Sequence, residues 1–143
     1  MGKETAIHFF KEEVKFRLGK QAKLCDWLIS CARKEGYKIN TLNYIFCTDD
    51  YLLSMNNEYL GHNYFTDIIT FDYNVEKNNI TGDVFISIDT VNKNSLRFNT
   101  TFQNELHRVM IHGLLHLVGY RDKTEKEKQK MKSMEDKYLA FLA

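Results

Sequence analysis

At 143 residues, 43% hydrophobic and 13% aromatic, the chain suffices for one ordinary globular core. No apolar run is long enough to span a bilayer, the N-terminal stretch Met1–His8 lacks the apolar core of a secretory signal, and Cys25, Cys31 and Cys47 are odd in number with no C-x-x-C, which points to reduced, mostly buried thiols of a cytoplasmic protein. The net charge of +1 is unevenly spread: nine Lys/Arg face five Asp/Glu in residues 1–40, three face eight in 41–100, and eight face six in 101–143.

In chain order, Ile7–Phe10 is short and apolar and reads as an edge strand. Residues Val14 to Arg33 follow a helical period, with Leu18, Ala22, Cys25, Leu28/Ile29 and Ala32 as the buried stripe and Gly36 as the stop. Leu42–Phe46 is β-rich and roughly alternating, a second strand. Thr48-Asp49-Asp50 caps a short helix through Tyr59, closed by Gly61. Asp67–Phe71 is a third strand, residues 72–81 an Asn-rich loop or hairpin turn, and Gly82–Ile88 a fourth strand with Val84, Ile86 and Ile88 on one face. Asp89 is expected to cap a helix from Thr90 to about Phe98. A second helix begins near Thr101, with Leu106, Val109, Met110, Gly113 and Leu117 toward the core. Thr124-Glu-Lys-Glu127 is a capping box for the last helix, whose apolar stripe is Met131, Met134, Tyr138 and Phe141. The chain has no proline, repeat or linker. It reads as a single α+β domain over residues 1–143, a small mixed four-stranded sheet packed with about five helices.

The stretch richest in chemistry is His112-Gly-Leu-Leu-His116-Leu-Val-Gly119-Tyr-Arg-Asp122. Two histidines four apart share a helix face, with Cβ atoms about 5–6 Å apart, so both imidazoles can reach one ion. Gly119 falls where a helix commonly ends, and Asp122 is the next side chain able to return to that ion. Two imidazoles and a carboxylate leave one tetrahedral position open, as a catalytic zinc site requires. The bland alternatives are two polar members of a buried helix, and an Asp122 that only complements the dipole of the last helix. A zinc peptidase of the HExxH type places its general base directly after the first histidine; here that position is Gly113, which has no side chain. The basic residues Lys15, Arg17, Lys20 and Lys23 could contact phosphates if their helix flanks the metal cleft, or could simply be a solvated face.

His112–Tyr120 resembles the signature of the YbeY family of bacterial endoribonucleases, H-G-x-L-H-L-x-G-Y-D-H. Met55–Tyr59 with Thr66–Phe71, and Gly82–Ser87, resemble that family's L-N-x-x-Y-R, T-D-V-L-S-F and G-D-I-x-I-S segments, and Glu127, Met131 and Glu135 echo the spacing beyond its metal loop. The resemblance runs from about residue 40 to the end. It implies a cytoplasmic endoribonuclease specific for single strands, with one zinc ion per chain at His112, His116 and Asp122. Its partners would be ribosomal RNA, at the 3′ end of the small-subunit RNA, and the small ribosomal subunit, with a part in ribosome quality control and neither DNA nor membrane among them. Two positions depart from the pattern. The third histidine is Asp122 here, whose negative charge should raise the pKa of a zinc-bound water, and the arginine after Tyr59 is Leu60. Arg121 or His62 is the candidate for the cation that offsets charge on the phosphate, and the general base is unassigned, with Asp67 and Asp83 as candidates by motif position. A non-catalytic RNA- or ribosome-binding module with a structural zinc, and a metalloprotease, are the rival readings.

Overall fold

A computed structural model describes residues 6–60 and 68–142. Four strands form one mixed sheet in the order β1-β2-β4-β3: β1 (Ile7–Lys11), β2 (Lys38–Cys47), β4 (Asn79–Ser87) and β3 (Ile68–Asp72). The pairs β1–β2 and β2–β4 are parallel, and β3 runs antiparallel to β4. Side chains alternate across the sheet. On the inner face Leu42, Tyr44, Phe46, Ile80, Val84 and Ile86 are fully buried, in one cluster with residues of α1 (Gln21–Lys34), α4 (Phe102–Leu117) and α5 (Glu125–Leu142). On the outer face Cys47 and Ile69 pack with Leu52 of α2 (Asp49–Met55), which continues into a single π turn, Asn56–Leu60. The remaining helix, α3 (Ile88–Arg97), leads from β4 to α4.

The inner layer is built on α4, nine of whose sixteen residues are buried. Two glycines let it press directly onto the sheet. A Cβ on Gly113 would lie 2.7 Å from Val84 Cγ1 and 3.0 Å from Ile68 Cδ1, and one on Gly82 would lie 2.8 Å from the Phe71 carbonyl oxygen and 3.1 Å from Leu117 Cδ2. Neither contact is tolerable, so the C-terminal half of α4 sits closer to β4 than any side chain permits. The buried Tyr44 hydroxyl adds a fixed point by donating to the Met110 carbonyl at 2.8 Å. With one flank held this way, the flank bearing His112 and His116 turns away from the sheet.

Several boundaries differ from the sequence reading for identifiable reasons. The first helix begins at Gln21, not Val14. Val14, Phe16 and Leu18 are half-buried and alternate with exposed Lys15 and Arg17, and this stretch lies between two left-handed residues, Glu13 and Lys20 (φ 55° each). Ala22, expected in the buried stripe, is exposed, whereas Leu24, Trp27 and Cys31 are buried. The strand β4 ends at Ser87, and Ser87 rather than Asp89 caps α3, accepting from the Thr90 N–H at 3.2 Å. Asp89 instead accepts from the Asp49 N–H at 2.9 Å. Ile88 is therefore helical, not part of the strand face. Thr48 caps α2 as expected, accepting from the Tyr51 N–H at 3.1 Å. The capping box is also present: Thr124 Oγ1 accepts from the Glu127 N–H (3.1 Å) and Glu127 Oε1 from the Thr124 N–H (2.9 Å). Phe141 is 53% exposed and falls outside the buried stripe of α5. Gly61, His62, Thr66 and Asp67 lie outside the described residues.

Candidate metal centre

The last turns of α4 and the loop before α5 bring His112, His116 and Asp122 together, one ligand atom from each within 4.8 Å of the others. The two Nε2 atoms are 3.0 Å apart, and Asp122 Oδ2 is 3.3 Å from both. The rings meet edge to face at 81°, with centroids 4.5 Å apart. The other nitrogen of each ring is already committed. His116 Nδ1 lies 3.1 Å from the Tyr120 carbonyl oxygen, which can only accept, so Nδ1 carries the proton. His112 Nδ1 lies 2.5 Å from Glu135 Oε2, and Glu135 is 6% exposed and accepts from Arg108 Nη1 at 2.9 Å. Arg108 in turn donates to Asp136 at 2.6 Å.

These tautomers turn three acceptors toward one point: two imidazole lone pairs and a carboxylate oxygen. Such a set repels itself unless a cation lies between, and the donor types suit zinc. Each imidazole also has the outer acceptor that metal-binding histidines almost always have. Burial, reinforced by the neighbouring His112, holds His116 below the ordinary histidine range despite Asp122 and the Tyr120 carbonyl. It is therefore neutral at physiological pH, the form that ligates. Glu135 and the Tyr120 carbonyl have no local sequence pattern. The only prior sign of Glu135 was its spacing beyond the metal loop.

An open groove of about 890 Å³ runs between α4 and α5, lined by His112 and Asp122 at one end and Phe98 at the other, with Arg108, Lys128 and Lys132 along it. Arg121 lines a separate depression with Tyr120, Lys126 and Lys130. Asp83 is not brought to the histidines. Its neighbours Gly82 and Val84 face α4, so Asp83 points to the outer face, where it accepts from Asn43 Nδ2 at 3.0 Å. The condition set for the basic N-terminal stretch, that it flank the metal cleft, is not met at Lys15 and Arg17. Phe16, between Lys15 and Arg17, packs edge-on against Phe102 at 6.0 Å, at the start of α4. The histidines lie ten and fourteen residues further along, roughly 15–21 Å on the helix axis.

Fold and site together define a small α+β protein with an open-sided candidate metal centre. Among relatives, a Cytophaga hutchinsonii protein named Endoribonuclease YbeY is 53% identical over 97% of each chain. A Karelsulcia muelleri protein of the same name is 50% identical over 91% of this chain and 92% of its own. The solution structure of a Thermotoga maritima protein superposes with a TM-score of 0.64 at 28% identity, covering 95% of this chain and 88% of the other. The family described as Endoribonuclease YbeY matches residues 6–143, and the chain belongs to it.

Proposed function

We propose that residues 1–143 form one cytoplasmic endoribonuclease domain that holds a single zinc ion and cuts single-stranded RNA during ribosomal RNA maturation, at the 3′ end of the small-subunit RNA on or near the small ribosomal subunit. One observation carries the catalytic reading: His112 Nε2 and His116 Nε2 converge at 3.0 Å, with Asp122 Oδ2 3.3 Å from both. Zinc at these atoms would supply Lewis acidity to a phosphodiester oxygen and a lowered pKa to an attacking water. The protein's own part is positional. Glu135 and the Tyr120 carbonyl each hold one imidazole nitrogen, so that the other of each ring is turned toward Asp122. Lys128 and Lys132, in the same groove as His112, are better placed than Arg121 to contact phosphates and offset developing charge. Among the described residues no helix is long and apolar enough to cross a membrane.

The peptidase reading fails on Gly113, because that position backs onto Val84 and cannot take the required carboxylate. The non-catalytic reading rests on Leu60 standing where the family pattern has arginine, and it predicts RNA binding without cleavage. The test is metal content together with cleavage of matched single-stranded and duplex RNAs, for the native chain and for His116→Ala. About one zinc per chain, single-strand cleavage abolished by a chelator, and loss of both in the variant are expected. Full zinc retention by His116→Ala after chelator dialysis would remove the site, and zinc binding without cleavage would leave the non-catalytic module.

A further inference from the structure

We propose that Glu35, at the C-terminal cap of α1, is a positioning residue for the metal centre, holding through Tyr120 the loop that carries Asp122. The inference rests on the metal reading above. Glu35 and Asp122 are far apart in sequence, and neither touches the other. What joins them is Tyr120. Its hydroxyl donates to Glu35 Oε1 at 2.8 Å, and its carbonyl accepts from His116 Nδ1 at 3.1 Å. The second oxygen of Glu35 accepts from the Tyr138 hydroxyl, so one carboxylate ties α1, the metal loop and α5 together.

The grip is wider than one bond. Two residues beyond Glu35, the Tyr37 hydroxyl donates to the Val118 carbonyl at 3.3 Å, so the end of α1 holds the loop at both 118 and 120. On the far side of Asp122, Glu127 Oε1 accepts from the Lys123 and Thr124 N–H groups at 3.1 and 2.9 Å. Asp122 is thus suspended between two points fixed by glutamates. This matters because Asp122 is the ligand without a helix under it, and its side chain is 40% exposed. A phenol donating to a carboxylate makes a charge-assisted bond, stronger than a neutral pair.

Tyr138 supplies the control, since its hydroxyl donates to the same carboxylate from α5 rather than from the metal loop. Zinc affinity, measured by competition with a chromogenic chelator on the metal-free full chain, should fall about 5–10-fold in Glu35→Ala and in Tyr120→Phe, toward the low end of outer-partner effects. The double variant should be no weaker than Glu35→Ala, because both remove the same bond. Tyr138→Phe should melt a few degrees lower yet bind zinc as the native chain does. The visible spectrum of the cobalt(II)-loaded protein should change in Glu35→Ala and Tyr120→Phe alone, reporting an altered carboxylate ligand. Native zinc affinity in Glu35→Ala and Tyr120→Phe would overturn the proposal, and so would an equal loss in Tyr138→Phe, which would make Glu35 merely structural. His116→Ala run alongside separates the two levels: retained zinc there would sink the metal reading itself, whereas lost zinc there with unchanged Glu35→Ala would sink only the positioning role.

Discussion

Gly113 separates the two histidines of α4 by facing the sheet, and its hydrogen fills the only space left between the helix and Val84. Alanine there would raise helix propensity by up to about 1 kcal/mol. It would also place a methyl 2.7 Å from a valine fixed in the central sheet, an overpacking that typically costs about 1–3 kcal/mol. A net loss of stability in urea is expected for Gly113→Ala, together with weaker zinc binding, because the helix that bears both imidazoles must move. Unchanged stability would mean that α4 can slide off β4 freely. The same contact decides a chemical question: the position that holds the base in a peptidase of the HExxH type is, in this fold, the position nearest the sheet. That the two histidines share a face was legible in the sequence because four-residue spacing on a helix is a local rule, and the approach of Asp122 because Gly119 marks the helix end. Glu35 was not, and Glu135 only as a spacing beyond the metal loop, because each meets its partner through tertiary packing, Glu135 23 residues from His112 and Glu35 85 from Tyr120.

Between elements, the junction of β4 and α3 is bound to the start of α2 by one carboxylate. Asp49 accepts from the Ser87 hydroxyl, from the Thr90 hydroxyl at 2.5 Å and from Lys93 at 3.0 Å. Burial alone would raise the Asp49 pKa, but the three donors outweigh it and hold the carboxyl below its ordinary value. A depressed folded pKa means that the stabilisation is fully present above about pH 4, the unfolded value, and is lost as pH falls through the folded one. Asp49→Asn should therefore be less stable than the native chain by about 1 kcal/mol at pH 7, and the two urea midpoints should converge as the pH falls well below the ordinary aspartate value of about 4. A gap that stays constant with pH would remove the charge from the explanation. The four strands and the helices were legible from period and caps. The first helix was misjudged at its start because Val14, Phe16 and Leu18 also satisfy a period of two. The cap of α3 was misassigned because Ser87 and Asp89, two positions apart, are both residue types that cap helices, and the helix begins at Ile88.

For the whole molecule, the placement of charge now has a direction. Beside Arg108 of α4, which Glu135 and Asp136 engage, the groove at the candidate centre draws its cations from α5, through Lys128 and Lys132, while Lys15 and Arg17 sit at the other end of α4. Reversing Lys128 and Lys132 to Glu should weaken binding of all single-stranded RNAs alike and flatten the log–log salt dependence by about 1.4, roughly 0.7 for each phosphate no longer neutralised. Reversing Lys15 and Arg17 should change the slope little, and the opposite ranking would place the strand on the far side of the molecule. The centre itself straddles two kinds of structure, with His112 and His116 on the most buried helix and Asp122 on a loop that side chains hold from either end. Backbone amides of α4 should accordingly exchange with deuterated solvent only when the whole molecule opens, whereas those of 119–124 should exchange through smaller, more frequent excursions. Zinc binding would slow exchange in the loop while scarcely changing the helix at subsaturating metal. The centre would then work as a fixed jaw and a moving one, with the rate of metal capture set by how often the carboxylate swings in.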